Sequence, residues 1–309
     1  MRRRFILGLG LWAVMRAASL AADGDARIRW RGPDQVGRIE VPQVAEASGL
    51  ACSRRSPELY WTHNDSGGEP VLYAIDAAGR PRRSVRIDGV SNRDWEDVAS
   101  FTLDGRAYLL AADVGDNSSS RSHCVLYVIA EPDPKSLAPG RELHATVAWE
   151  IPVRYPDGAR DCESVAVDVT ERAIYLISKR TRPPVVYRLP LVPPTSGSPT
   201  AVRVGELRGI PASAGLRGLY DRVRSLPCGL DITADGRSAA MVTYGTVYVY
   251  ARTDGETWAA AFAREPIALA EHGLTQAEGI CFTMDGRGLL VTSEGHHAPL
   301  VRYTFGNPP

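Results

Sequence analysis

The 309-residue sequence lacks the local motifs by which many enzymes are recognised. It contains no GxSxG nucleophile elbow, no HExxH zinc motif and no Walker phosphate-binding loop. Its five cysteines are scattered and form no CxxC pair, which argues against a structural zinc site and against a disulfide scaffold. Helical periodicity is nearly absent, and the one short helix that we predict lies in 212–224.

The sequence also lacks an excess of positive charge. Its 36 basic residues balance 36 acidic ones, and only two of the basic residues are lysines, Lys135 and Lys179. A nucleic-acid-binding protein needs a clustered basic surface that neutralises phosphates. The composition therefore predicts no nucleic-acid partner.

A single apolar run stands out, and it lies at the N-terminus. Arginines at 2–4 precede the apolar run 5–15, and Ser-Leu-Ala at 19–21 resembles a signal-peptidase site. Eleven apolar residues are too few to cross a bilayer of roughly 30 Å, so an uncleaved anchor fits less well. We therefore expect a cleavable signal peptide at 1–21, a periplasmic or secreted protein, and no membrane attachment of the mature chain.

The rest of the chain repeats one pattern five times. Each repeat has an apolar strand, a polar turn, a second apolar strand and a polar cluster, and a third strand follows. Asp-Gly pairs at 104–105, 235–236 and 285–286 are strong signals for hairpin turns. The repeats begin at Ser48, Glu96, Glu163, Cys228 and Glu278.

Four antiparallel strands per repeat, at a spacing of 48 to 67 residues, are typical of β-propeller blades. We predict an all-β fold, a single propeller domain over 27–305 with five four-stranded blades. The last repeat lacks a fourth strand, which an N-terminal strand within 27–41 would supply, closing the ring. Six blades of about 48 residues are the alternative, and a β-sandwich is a broader one. We expect a monomer.

The repeat places polar residues of all five blades at one mouth of the central channel, because the start of one hairpin strand and the end of the next lie at the same end. The first predicted ring comes from the strand starts: Ser48, Glu96, Glu163, Cys228 and Glu278. The second comes from the strand ends: Asn64, Asp113, Lys179, Tyr244 and Glu294.

Acidic groups packed this closely repel each other unless a cation compensates them. Ca²⁺ is a natural compensator because it takes six to eight oxygen ligands. The predicted ligands are Asn64, Asp65, Asp97, Asp113, Asp116, Asn117 and Glu163. The alternatives are ordinary turn chemistry, in which Asp and Asn side chains bond to nearby backbone N–H groups, and structural ion pairs with arginines.

Glutamate is depleted in β-strands, so three glutamates at matched strand starts favour a functional role. A cation inside an acidic ring suits a small anionic substrate. The candidate catalytic residues are Glu96, Glu163, Glu278, Lys179 and Glu294, and the candidate substrate contacts are His63, Arg121, Arg180 and Tyr244. Cys162 and Cys228 either form a disulfide or are small buried residues.

Several segments resemble a group of exported bacterial propeller proteins: SGLACS, THNDSGG, DWEDVA, DVGDN and YPDGARDCE. More distantly, they are similar to phytase-like and gluconolactonase-like propellers. The resemblance implies a calcium-binding acidic mouth and the hydrolysis of a phosphoester or a lactone. It also points to relatives that are commonly six-bladed.

Three hypotheses follow from these residues and from the resemblance. The first is an exported, Ca²⁺-dependent hydrolase of the phosphoesterase, phytase-like class. The second is a lactonase or glycoside hydrolase, since propeller glycosidases also place carboxylates at the channel mouth. The third is a non-enzymatic binding propeller whose acids hold a structural ion.

Overall fold

A computed structural model describes residues 29–137, 140–193, 199–210 and 223–306. Five β-sheets surround a central axis, so the predicted five-bladed propeller is confirmed and the six-bladed alternative is wrong. The expected signal peptide and nearly all of the helix predicted in 212–224 lie outside the described residues. Among the described residues, no helix has the length and apolar character needed to span a bilayer.

The strands of the first two blades follow the predicted hairpin order. The first described strand is β1 (Arg29–Arg38), which belongs to the last blade. Blade 1 consists of β2 (Ala47–Cys52), β3 (Leu59–Asn64), β4 (Val71–Asp76) and β5 (Pro81–Ile87). Blade 2 consists of β6 (Trp95–Leu103), β7 (Arg106–Asp113), β8 (Cys124–Ala130) and, after the short strand β9 (Leu143–Ala145), β10 (Val147–Val153). β9 pairs in parallel with β5.

The remaining three blades repeat this order. Blade 3 consists of β11 (Cys162–Asp168), β12 (Ala173–Ser178), β13 (Val185–Pro190) and β14 (Val202–Glu206). Blade 4 consists of β15 (Pro227–Ile232), β16 (Ser238–Thr243), β17 (Val247–Ala251) and β18 (Ile267–Ala268). Blade 5 consists of β19 (Ala277–Phe282), β20 (Gly288–Ser293), β21 (Pro299–Gly306) and β1. A 3₁₀ turn (Pro134–Leu137) and a short α-helix (Trp258–Phe262) lie between strands.

The strand β1 is the outer strand of blade 5. It pairs antiparallel with β21, from Arg29 opposite Gly306 to Arg38 opposite Pro299. Trp30 packs on Phe305 with the ring centroids 5.1 Å apart. The pairing satisfies the backbone groups along the outer edge of β21, which would otherwise be open to another chain.

Apolar side chains join the blades face to face. Each of the five interfaces between neighbouring blades has its own buried apolar cluster. The innermost strands β2, β6, β11, β15 and β19 contact one another in that order around the axis, and β15 also contacts β2 and β6 across it. The channel is therefore narrow, and a site for a ligand has to lie at one of its mouths.

Asp97 links three blades inside this narrow channel. One carboxylate oxygen accepts the N–H of Val98, and the other accepts the N–H of Val165 in blade 3 at 2.8 Å and of Leu230 in blade 4 at 3.2 Å. Burial raises the pKa of Asp97 well above its ordinary value. The predicted role of Asp97 as a metal ligand does not fit this position, because its oxygens already bind backbone donors.

Asp231 plays the same part between blades 4 and 5. Its two oxygens accept the N–H of Ile232 at 2.9 Å and of Phe282 at 2.8 Å. Burial raises the pKa of Asp231 to about 6, although the charge of Arg54 opposes the shift. Two carboxyls thus hold neighbouring inner strands together within the channel.

Candidate functional site

A β-bulge lies at the same position in all five inner strands. In blade 1, for example, Ala47 pairs with Asn64 and Gly49 pairs with His63, so one residue is left out of the ladder. A bulge redirects the side chain of its extra residue. The residues left out are Ser48, Glu96, Glu163, Cys228 and Glu278. The predicted first ring is therefore the set of bulged residues.

The predicted second ring is out of register in blades 3, 4 and 5. Across each hairpin, the residue just before the bulge pairs with Asn64, Asp113, Ser178, Thr243 or Ser293, so only Asn64 and Asp113 of the predicted ring lie at these positions. Lys179, Tyr244 and Glu294 each follow one residue later, as Asp65 does in blade 1. The error arises because the paired ends of the hairpin lie 17 and 18 residues apart in blades 1 and 2 but 16 apart in blades 3, 4 and 5, and polarity alone does not show this difference.

Among the described residues, seven carboxylates come together around the bulged residues. We call them the acidic mouth: Asp65, Asp94, Glu96, Asp161, Glu163, Glu278 and Glu294. Three overlapping groups have potential ligand atoms within 4.8 Å of one another: Asp65, Asp94 and Glu96; Glu96, Asp161 and Glu163; and Glu163, Cys228 and Glu278. Oxygens on opposite sides of one Ca²⁺ ion lie about 5 Å apart, twice the Ca–O bond length. The acidic clusters therefore have the spacing needed to hold a metal ion.

Burial and mutual repulsion raise the pKa values of the acidic mouth. Burial raises the pKa of Glu96 far above its ordinary value, and Glu163 raises it further. Burial and the charge of Glu278 raise the pKa of Asp65 to about 7. Burial and contact with Glu278 also raise the pKa of Glu294 to about 8. The mouth is thus a cluster of acids that gains stability from protons or from a cation.

Lys179 places its ammonium between two of the bulged glutamates. Its Nζ contacts Glu163, lies 3.7 Å from Glu278 Oε1 and donates to the Tyr244 hydroxyl at 3.0 Å. The Tyr244 hydroxyl in turn donates to Glu278 Oε1 at 2.8 Å. Burial by itself would lower the pKa of Lys179, but the neighbouring acidic groups raise it above its usual range. Lys179 therefore neutralises one side of the mouth, and the group around Glu96 keeps the larger negative charge.

Gly115 leaves the space in which two acids of the mouth lie. A β-carbon on residue 115 would lie 2.5 Å from Asp94 Oδ2 and closer still to Glu96 Oε1. The φ angle of Gly115 is outside the left-handed region. The glycine of the DVGDN segment is therefore needed for space and not for backbone conformation.

Three of the predicted metal ligands hold loops together. Asn64 accepts two backbone hydrogen bonds from the loop before β2, at 2.9 and 3.1 Å. Asp116 accepts two from its own loop, at 2.9 and 2.8 Å. Asn117 accepts a hydrogen bond from Arg180. Turn chemistry, which the sequence left open as the alternative, accounts for Asn64 and Asp116.

The cations predicted to contact substrate are all paired with carboxylates. Arg121 Nη1 lies 2.7 Å from Asp113 Oδ1, and both side chains are buried. Arg180 Nε lies 2.5 Å from Asp161 Oδ2. Lys179 is held as described above. Asp113, a further predicted metal ligand, is thus the partner of an arginine.

His63 and the two cysteines are buried behind the mouth. His63 is packed against Trp95, its Nδ1 lies 2.9 Å from the carbonyl oxygen of Asn64, and burial lowers its pKa to about 4. Cys162 and Cys228 are free thiols, so the disulfide alternative is wrong, and burial raises the pKa of both. None of the three side chains is exposed to a substrate.

Comparison with solved structures finds propellers of low similarity. The chain is similar to a gluconolactonase from Xanthomonas campestris. The identity is 10%, the alignment covers 89% of this chain and 95% of that one, and the TM-score is 0.45. It is also similar to a luciferin-regenerating enzyme, with 10% identity over 90% of this chain and 98% of that one, and a TM-score of 0.46. No protein-family model matches the chain, and a search of curated proteins finds no match. The chemistry of the site has to be inferred from its own residues.

Two acids of the mouth were not among the ligands predicted from the repeat. Asp94 lies two residues before the bulged Glu96, and Asp161 lies two residues before the bulged Glu163. Each pair flanks one fully buried residue, Trp95 or Cys162. The sequence signal that identifies them is an acid on each side of a buried residue, as in Asp94-Trp95-Glu96 and Asp161-Cys162-Glu163.

Proposed function

We propose that the protein is an exported hydrolase that binds a divalent cation, Ca²⁺ by preference, around Glu96 and opens a small lactone. The observation that carries the proposal is the three overlapping groups of residues whose potential ligand atoms lie within 4.8 Å of one another. Glu96 and Glu163 each belong to two of these groups. The two groups that contain Glu96 offer carboxylate oxygens only, which is the donor set that Ca²⁺ takes.

A divalent cation bound there would polarise an ester carbonyl and lower the pKa of a neighbouring water. In the reaction, water adds to the carbonyl carbon, the ring C–O bond breaks, and the ring oxygen takes a proton to give a hydroxy acid. We assign the holding and transfer of that proton to Glu294, which lies beside Glu278 at the mouth and accepts a hydrogen bond from Gln276 Nε2 at 2.7 Å. Lys179 fixes the positions of Glu163 and Glu278.

The charges of the mouth favour a neutral ester over a phosphoester. A phosphate group carries about −1.5 to −2 charges and needs cations that are available to it. Lys179 and Arg121 are buried in ion pairs with carboxylates, and Arg180, which is half exposed, is paired with Asp161. A lactone carries no charge to be repelled, so we place lactone hydrolysis above the phytase-like alternative.

The spacing of the acids also bears on glycoside hydrolysis. Glycosidases that work without a metal hold their two carboxyl groups about 5–5.5 or 6.5–9.5 Å apart, on either side of the scissile bond. In the acidic mouth, three groups of ligand atoms each lie within 4.8 Å. That arrangement supports a cation site more than a pair of carboxyls separated by a sugar.

A substrate panel tests the proposal. The purified protein is stripped with chelator and assayed with and without Ca²⁺ on gluconolactone, γ-butyrolactone, p-nitrophenyl phosphate, phytate and a p-nitrophenyl glycoside. We expect Ca²⁺-dependent opening of lactones and a loss of about 10²-fold or more in kcat/KM for Glu163→Gln. The matched control is Glu58→Gln, an exposed acid in the turn between β2 and β3, which lies at the other end of blade 1.

The panel separates the alternatives. Ca²⁺-dependent turnover of the phosphoesters alone would overturn the lactone assignment. Cation binding without turnover in any class would leave a non-enzymatic binding propeller.

A further inference from the structure

An apolar pocket opens on the same face as the acidic mouth, between blades 3 and 4. Its volume is about 240 Å³. Its apolar lining residues are Pro183, Pro184, Leu207, Ile210 and Leu226, and Arg182 and Ser225 also line it. They belong to the β12–β13 loop, the segment after β14 and the segment before β15. Since β12 and β14 end at the mouth while β13 and β15 begin there, all three segments lie on that face.

Lys179 connects the pocket with the acidic mouth. It lines the pocket, while its ammonium contacts Glu163 and lies 3.7 Å from Glu278. A lysine offers an apolar stem as well as a charged end. The same side chain therefore borders both the pocket and the Glu163–Glu278 side of the acidic mouth.

The walls of the pocket are fixed by the core. The N–H of Leu207 donates to the carbonyl oxygen of Pro184 at 2.8 Å, and Leu207 is buried. Ile210 packs on the apolar cluster between blades 3 and 4, and Leu226 packs on the cluster between blades 4 and 5. Proline at two lining positions restricts the backbone of the β12–β13 loop. The pocket is thus formed before a ligand binds.

The size of the pocket indicates what it takes. Pockets that hold a whole small-molecule ligand have volumes of about 300–1,000 Å³. At about 240 Å³, this pocket is suited to part of a ligand whose remaining part lies elsewhere. The adjoining acidic mouth is polar, so it suits the polar part of the same molecule.

We propose that this pocket binds the hydrocarbon substituent of the substrate, so that the preferred substrate is a lactone with an alkyl chain and not a sugar lactone. The inference rests on the proposed function, because it takes the reacting ester to lie at the acidic mouth. Each methylene group buried in the pocket contributes about fourfold to kcat/KM. The chain length at which this gain ends reports the depth of the pocket.

The first test compares γ-lactones of increasing chain length, from γ-butyrolactone through γ-hexalactone to γ-octalactone. We expect kcat/KM to rise by about fourfold per methylene in the unaltered protein. Ile210→Trp fills the pocket and Ile210→Asn makes it polar, so both flatten this rise. The control is Val192→Trp, at an exposed apolar residue beyond the far end of β13, which keeps the rise. A flat profile in the unaltered protein would overturn the inference while lactone hydrolysis itself stands.

The second test measures binding without turnover. Octanamide and acetamide are titrated calorimetrically into chelator-treated protein. We expect octanamide to bind, acetamide to give no heat, and Ile210→Trp to weaken octanamide binding at least tenfold. Equal binding to both proteins would overturn the inference. Octanamide binding that Ile210→Trp abolishes, without hydrolysis of any lactone, would support the alkyl site and count against the proposed hydrolase.

Discussion

At the residue scale, the buried carboxyls of the channel fall into two kinds. Asp97 and Asp231 lie among backbone N–H groups of neighbouring blades, which stabilise their oxygens directly. The pKa of Glu96 is raised by burial and by other acids, of which Glu163 has the largest effect. The first kind supports the fold, and the second kind is an electrostatic strain that a bound cation relieves.

Asp231 should make stability depend on pH between about 4 and 6. Because burial raises its folded pKa to about 6, the folded state binds more protons than the unfolded state in this window, and the contribution of this carboxyl to stability falls as pH rises. Asp231→Asn cannot titrate. As pH rises from 4 to 7, the unaltered protein should lose stability that Asp231→Asn keeps. The difference in free energy of unfolding, variant minus unaltered protein, should therefore increase by up to about 3 kcal/mol. Urea unfolding at several pH values measures this, and parallel pH profiles would contradict it.

Lys179 should act as the built-in counter-ion of Glu163 and Glu278. Lys179→Met removes one partner of a buried ion pair, which typically costs about 3–5 kcal/mol. In the presence of chelator, the variant should melt at a lower temperature than the unaltered protein. Added Ca²⁺ should then raise the melting temperature of the variant by more than it raises that of the unaltered protein. Lys135→Met, at the exposed second lysine of the chain, is the control. Thermal melts with and without Ca²⁺ decide the point, and an equal response to Ca²⁺ in all three proteins would refute this role.

At the element scale, strand pairing within the hairpins explains what the sequence could and could not predict. Strand order, hairpins and the first ring follow from apolar alternation and Asp-Gly turns, which are local features. Hairpin length differs between the blades and is set by strand pairing, so the predicted Lys179, Tyr244 and Glu294 lie one residue beyond the paired residues Ser178, Thr243 and Ser293. Asp97 could not be told apart from Glu96, because adjacent acids differ only in which side of the strand they face.

Gly115 gives a test of the bulge region. Gly115→Ala places a β-carbon against Asp94 and Glu96 without backbone strain, so these carboxylates have to move from their present positions. We expect Ca²⁺ affinity to fall by about tenfold or more, since ligand geometry sets affinity in such sites. Gly306→Ala is the matched control because a β-carbon there meets nothing within 4 Å. Calorimetric titration measures the Ca²⁺ affinity of both variants. Unchanged affinity in Gly115→Ala would show that Ca²⁺ does not bind next to Glu96.

At the scale of the whole molecule, the two ends of the channel differ in character. At the end away from the acidic mouth, Glu131 accepts hydrogen bonds from Trp61 Nε1 and from the N–H of Arg54, both at 3.0 Å. Glu131 belongs to the Glu-Pro pair that follows β8, and its contacts there are structural. The sequence repeat predicted which end gathers the acids, but the pairing of individual cations with acids depends on tertiary contacts that no local pattern encodes.

The outer strand β1 should matter for the stability of the whole ring. Deleting residues 1–38 removes the partner of β21 and the contact between Trp30 and Phe305. We expect a lower melting temperature and association between chains through the exposed edge. Deleting residues 1–26 instead keeps β1 and is the control. Thermal melts and light scattering measure the two effects, and identical behaviour of the two truncations would show that β1 is dispensable.

The central claim is that the acidic mouth binds a divalent cation through Glu96. Calorimetric titration of Ca²⁺ into the chelator-treated protein tests it most directly. We predict one site per chain with a dissociation constant below about 1 mM, at least tenfold weaker binding in Glu96→Gln, and unchanged binding in Glu58→Gln. Absence of binding, or equal binding in Glu96→Gln, would contradict the claim.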